Sequence, residues 1–369
     1  MVEAVEARVT PASGVNLFNS GNSIQFISNY RGTQNPVKPT IPQHIKKSPP
    51  QQPPIAQKPL HKSIEQKPRP TPQNQPEPVR PEPKATDATS ANAIRNIVYL
   101  NDGQRSEKLD LYLPSTPAPS EGYPVMLAIH GGGWHKNSKE HFIPAVQQLT
   151  SDGFAVVAVN YQLATAKSQS WPTAIQDLEQ ALGWINRQSA KYKLNPDKIA
   201  AVGTSAGGHL AMLLATGFDT SSLSSGRPAT GIQNTAQNLP KIKAAVSFFG
   251  PTELASCAAE SQMGAGIAIS RFLGGSSTDY PDRYLAASPL NHVSKTTAPI
   301  LMIHGTADDL IPINQSEKMD SALAAAGVMH QLIVVPGGTH TNLTSRLGYM
   351  QKSYQAEVVS FLKKAMNLN

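Results

Sequence analysis

A single cysteine, Cys257, is the only thiol in this 369-residue chain. That excludes an internal disulfide framework and any metal cluster built on cysteine. It fits a reducing compartment without requiring one. Long apolar runs are also missing, and nothing approaches the roughly 18 consecutive apolar residues of a membrane-spanning helix. The first thirty residues hold no apolar run behind a basic start, so no signal peptide is read. The expected location is therefore the cytoplasm by default, with export as the open alternative because an unusual route would leave no mark here. Concentrated positive charge is lacking as well. The net charge is +7, but residues 1–92 carry 11 Lys/Arg against 6 Asp/Glu, and the remainder carries 21 against 19. A nucleic-acid-binding domain gathers basic residues on its folded part, so no nucleic-acid partner is expected.

Proline is plentiful, and it is unevenly placed. Between Pro36 and Lys84 runs "SPPQQPPIAQKPLHKSIEQKPRPTPQNQPEPVRPEPK", rich in Pro, Gln, Lys and Glu and poor in apolar residues. Such a stretch cannot bury enough surface to offset chain entropy, and its prolines favour extended polyproline II. Residues 1–92 are therefore expected to be a disordered leader or linker that tethers the rest, the alternative being that its PxxP-like spacings dock an aromatic groove. From residue 93 onward the pattern alternates. "IRNIVYL", "KLDLYLP", "PVMLAIH", "FAVVAVNY", "KIAAVG", "IKAAVSFFG", "APILMIHG" and "HQLIVVP" read as strands. Helical spacing covers residues 142–151, "WPTAIQDLEQALGWINRQSAKY", "AGGHLAMLLAT", "SEKMDSALAAAG" and "YQAEVVSFLKKAM". This predicts an α/β fold with a mainly parallel central sheet and helices on both faces. Residues 251–290 interrupt the alternation and read as a small lid-like insertion.

The motifs fall at strand ends. In "IAAVGTSAGGHL" an apolar strand must turn sharply into a helix, and Gly203-Thr204-Ser205-Ala206-Gly207 puts a hydroxyl at the apex. Glycine on either side of Ser205 lets strand and helix backbones approach closely. The Ala206 N–H then lies at a helix N-terminus, where it can meet a developing oxyanion. A second turn, "IHGGGWH", offers the N–H groups of Gly132 and Gly133 to the same oxygen. A tight turn or phosphate nest is the ordinary alternative, but no phosphate-loop or dinucleotide signature follows. A serine nucleophile needs a base oriented by an acid. His340, after "QLIVVPGGT", would emerge at the carboxyl edge of the sheet, as would Asp308 in "HGTADDLIP". Asp309 reads as a solvated loop charge, His304 as a residue packed in its turn, and His330 as lying at the wrong edge. Trp134, Trp171 and Trp184 suit either a pocket lining or the core.

The motifs "HGGGW", "GTSAGGHLA", "HGTADDLIP" and "GGTH" together resemble the α/β-hydrolase superfamily. The resemblance is to esterases of the hormone-sensitive-lipase and feruloyl-esterase-like branch, over about residues 94–369. It implies a serine carboxylic ester hydrolase that needs no metal or organic cofactor and acts on small-molecule esters, short-chain or carbohydrate-linked. Carried over by position, Ser205 is the nucleophile, His340 the base and Asp308 the acid. Gly132, Gly133 and Ala206 are the oxyanion donors. Thr339 departs from the Gly-x-Gly-His of that branch. A peptidase or amidase of prolyl-oligopeptidase or arylformamidase type shares the constellation, and a catalytically silent binding module shares the fold.

Overall fold

Runs of Val, Ile and Ala too short for core helices set the architecture. The computed structural model describes residues 92–101, 106–142, 149–220, 223, 239–340 and 354–368. Of the leader expected over residues 1–92, only Asn92 is among them; the rest lies outside the described residues, as does most of the helix expected over residues 142–151. Eight strands form one sheet: β1 (Ala93–Asn101), β2 (Ser106–Tyr112), β3 (Tyr123–Ile129), β4 (Ala155–Val159), β5 (Leu194–Thr204), β6 (Ile242–Phe248), β7 (Ile300–Gly305) and β8 (His330–Val335). Their order is β1-β2-β4-β3-β5-β6-β7-β8. The pairs β1–β2 and β2–β4 are antiparallel, and every later pair is parallel.

Near-continuous apolar strands bury both faces, as a sheet sandwiched between helices requires. One face of β3 and β4, with Leu127, Ile129 and Val157, packs against α1 (Thr173–Tyr192) and α2 (Ala206–Ala215). The other face, with Met126, Ala128 and Val156, packs against Phe361 and Leu362 of the C-terminal helix Gln355–Met366. Burying each of these Leu, Ile, Val, Met and Phe side chains contributes about 1.5–3 kcal/mol. Trp134, Trp171 and Trp184 all belong to the first of these cores.

The segment 251–290 holds three short helices between β6 and β7: α3 (Leu254–Glu260), α4 (Ala265–Leu273) and α5 (Pro281–Ala287). Glu253 caps α3 by accepting from the Ala255 and Ser256 N–H groups at 3.2 and 2.9 Å. Helix α6 (Asn314–Ala325) leads into β8. Sequence spacing and structure differ most at β5, which begins at Leu194 rather than Lys198. Leu194 already pairs with Tyr123, and the register then shifts before Val125 meets Ile199. The intervening Asn195-Pro196 reads as a loop because proline cannot donate to a ladder. Among the described residues no helix is long and apolar enough to cross a membrane.

Candidate active site

The parallel strands β3, β5, β7 and β8 deliver four loops to one edge of the sheet. Between β5 and α2 stands Ser205, with φ 52° and ψ −120°. A side chain rarely adopts this backbone, which costs about 1–3 kcal/mol. The surroundings impose it. The Ser205 N–H donates to Phe248 O at 2.8 Å, pinning the turn to the end of β6. A Cβ on Gly203 would fall on the Gly207 backbone, and one on Gly207 would fall on the Ile129 carbonyl. Both positions therefore admit only glycine, which explains the small residues around the serine. The Ala206 N–H, in the first position of α2, has no partner within its helix.

The turn after β3 lies alongside. Gly132 has φ 113° and Gly133 φ 58°, and a Cβ on Gly132 would strike the Lys136 carbonyl. Farther along, the Lys139 N–H donates to Asn160 Oδ1 at 2.7 Å. The Lys139 ammonium is buried against Asp110 at 3.0 Å, anchoring the loop to the sheet. From the inserted helices, the Ala268 methyl sits 3.3 Å from where a Cβ on Gly133 would stand.

Loops leaving β7 and β8 are joined by backbone. Ala307 N–H donates to Gly338 O at 2.9 Å, and Thr306 N–H donates to Val335 O at 3.0 Å. Gly337 N–H donates to Thr306 Oγ1 at 2.8 Å. A Cβ on Gly305 would fall on the Gly338 backbone, so glycine in each loop permits the approach. Asp308 and His340 are thereby brought together. Asp308 Oδ2 lies 2.9 Å from His340 Nδ1, and His340 Nε2 lies 3.1 Å from Ser205 Oγ. An ionised carboxylate only accepts, so His340 Nδ1 carries the proton and Nε2 is free to accept from the serine hydroxyl. Phe249 presents its ring to the His340 imidazole at 4.8 Å.

Asp308 is buried but well supplied with donors. Its Oδ1 accepts from Leu310 and Ile311 N–H at 3.1 and 2.8 Å. Burial alone would push the carboxyl up. The donors His304 and His340, with the Ile311 N–H, outweigh burial and hold it down at about 2. Asp309 is exposed, and its carbonyl accepts from Gln262 and Met263 N–H at 3.0 and 3.1 Å, tying the loop between α3 and α4 to this turn.

His304 does pack in its turn, with Nδ1 on Ser316 Oγ at 2.7 Å and Nε2 on Ile311 O at 2.8 Å. Sequence reading missed its second neighbour: Nε2 also lies 3.5 Å from Asp308 Oδ2. A carbonyl and a carboxylate both require a donor, so Nε2 bears the proton. His130 is buried against the Tyr161 ring at 4.4 Å, and burial pushes it down to about 4. Among the described residues no group of three His, Cys, Asp or Glu side chains could hold a metal ion.

The family model described as BD-FAE matches residues 109–323. "Esterase LipQ" of Mycobacterium tuberculosis is 29% identical over 226 residues, covering 61% of this chain and 51% of its own length. The chain thus spans about half the length of the curated relatives it matches. A solved "Truncated form of carbohydrate esterase from gut microbiota" superimposes with a TM-score of 0.63 at 27% identity, covering 75% of this chain and 96% of that one. A "Bifunctional GH43-CE" from Bacteroides eggerthii gives a TM-score of 0.62 at 28% identity, covering 76% and 39% respectively.

Proposed function

We propose that this chain, which belongs to the BD-FAE family, is a serine carboxylic ester hydrolase acting through an acyl-enzyme. The observation that carries the reading is the run of contacts from Asp308 through His340 to Ser205 Oγ, at 2.9 and 3.1 Å. In this reading Ser205 Oγ attacks the ester carbonyl while His340 Nε2 takes its proton, and Asp308 steadies the resulting imidazolium. The oxyanion settles against the N–H groups of Gly132, Gly133 and Ala206. The tetrahedral intermediate collapses, and the alcohol leaves with the proton from His340. Water then repeats the sequence on the acyl-serine and regenerates the hydroxyl. The residues contribute orientation, proton transfer and charge stabilisation.

Short-chain esters or carbohydrate-linked acetyl or feruloyl esters are the proposed substrates, and the carbohydrate esterase among the similar structures supports the carbohydrate-linked class. Residues 93–369 are proposed as the catalytic unit and residues 1–92 as its tether, on the strength of their contrasting composition. The test is Ser205→Ala assayed with p-nitrophenyl acetate, an acetylated xyloside and a matched amide. We expect ester turnover to fall on the order of 10⁴-fold or more with the fold intact. Unchanged ester turnover in the variant would remove the assignment, and preference for the amide would replace esterase with amidase.

A further inference from the structure

His209 lies one helical turn past Ser205 on α2, and its backbone N–H donates to Ser205 O at 3.0 Å. Its side chain is fully buried and spans two other elements. The Trp134 indole N–H donates to His209 Nδ1 at 3.3 Å, and His209 Nε2 meets Ala287 O at 2.7 Å. Trp134 directly follows Gly132 and Gly133, and Ala287 is the last residue of α5. An indole N–H only donates and a carbonyl only accepts, so one protonation state fits both contacts. Nδ1 is bare and Nε2 carries the proton. A second proton would set N–H against the Trp134 indole N–H. Burial pushes the imidazole down to about 4, so the neutral form prevails near neutral pH.

The rings around it make the same connection. Trp134 stacks on Phe272 of α4 with centroids 4.7 Å apart, and the His209 ring meets both edge-on at 5.3 and 5.8 Å. Trp134 also has φ 58°, a conformation a tryptophan does not choose unaided. Something must hold it there.

We infer that His209 is a positioning residue: its fixed tautomer clamps the Gly132-Gly133-Trp134 turn to the nucleophile helix and to the inserted helices α4 and α5. The inserted segment then acts on the oxyanion site itself and not only on substrate access. This rests on the ester-hydrolase reading, in which Gly132 and Gly133 supply oxyanion donors.

Three variants separate the halves of the clamp. Trp134→Phe keeps the ring stack and deletes only the indole N–H. His209→Gln keeps a donor near the Nε2 position for Ala287 O but has no acceptor at the Nδ1 position that faces Trp134. His209→Asn places an acceptor near Nδ1 and gives up Ala287. Steady-state kinetics with p-nitrophenyl acetate are measured on folded protein counted by fluorophosphonate labelling, alongside Tm. Misplaced oxyanion donors should lower kcat about 10- to 100-fold in Trp134→Phe and His209→Gln with KM nearly unchanged. His209→Asn should recover most of that kcat. If all three lower Tm while kcat per labelled site stays within twofold of the parent, His209 only packs the core and the inference falls. Failure of the ester-hydrolase reading is distinct, because it appears as absent turnover in the parent.

Discussion

Replacing Ser205 by glycine should give a more stable protein than replacing it by alanine, reversing the usual order of the two residues. Ser205 is held at φ 52° and ψ −120°, where a Cβ costs about 1–3 kcal/mol. Alanine keeps that cost and glycine removes it. Both variants lose the same hydroxyl contact to His340 Nε2, so this loss cancels in the comparison. Against glycine stands its greater freedom in the unfolded chain, about 0.5–1 kcal/mol relative to alanine. The balance favours glycine by about 1 kcal/mol, or about 2 °C in Tm for a folded unit of residues 93–369. Equilibrium urea unfolding of Ser205→Gly and Ser205→Ala, with equal m-values as a check on a common denatured state, measures the difference directly. A glycine variant no more stable than the alanine variant would show that the turn is unstrained. The close packing of Gly203, Gly207 and Phe248 O would then need a different explanation.

Three other outcomes follow from the same geometry. Asp308→Asn should lower kcat by about 10⁴-fold while the protein still folds, because the amide no longer fixes the His340 tautomer; near-normal kcat would show that Asp308 does not orient the base. Asp308 is held down at about 2 against an ordinary 3.8, so its contribution to stability is complete above pH 4 and lost as pH falls towards 2. The unfolding free-energy gap between the parent and Asp308→Asn should shrink by about 2 kcal/mol between pH 6 and pH 2, and a gap independent of pH would contradict the assigned hydrogen bonds. Gly207→Ala drives a methyl into the Ile129 carbonyl and within 2.7 Å of His130 O. It should cost about 3 kcal/mol or more, read as a lowered urea midpoint with loss of activity. An unchanged midpoint would mean that strand and helix separate easily there.

The strands and helices were legible because their signals are local. Val-, Ile- and Ala-rich runs such as Ala155–Val159 have no helical alternative of that length, and the 3.6-residue spacing of Thr173–Tyr192 has no strand alternative. Ser205, His340 and Asp308 could be nominated from sequence because each follows a strand in a parallel sheet, which sends strand ends to a common edge. The rest was hidden by distance along the chain. His209 meets Trp134 across 75 positions and Ala287 across 78, and no spacing rule links them. His304 is different: it stands only four residues before Asp308, but their approach depends on the fold of the turn after β7, which no local spacing rule gives. Phe249 looked like the end of an apolar strand. Its ring contact with His340 depends on how β6 and β8 are arranged within the sheet.

The seam that joins Thr306 and Ala307 to Val335 and Gly338 makes the Asp308 and His340 turns a single mechanical body, while the Ser205 turn is braced to β6 on its own. Thermal jostling of the exposed rim would therefore vary the gap between imidazole and hydroxyl before it disturbed the pairing of carboxylate and imidazole. Lengthening or shortening either turn would displace both partners, so natural variation there should come as paired changes on the two sides.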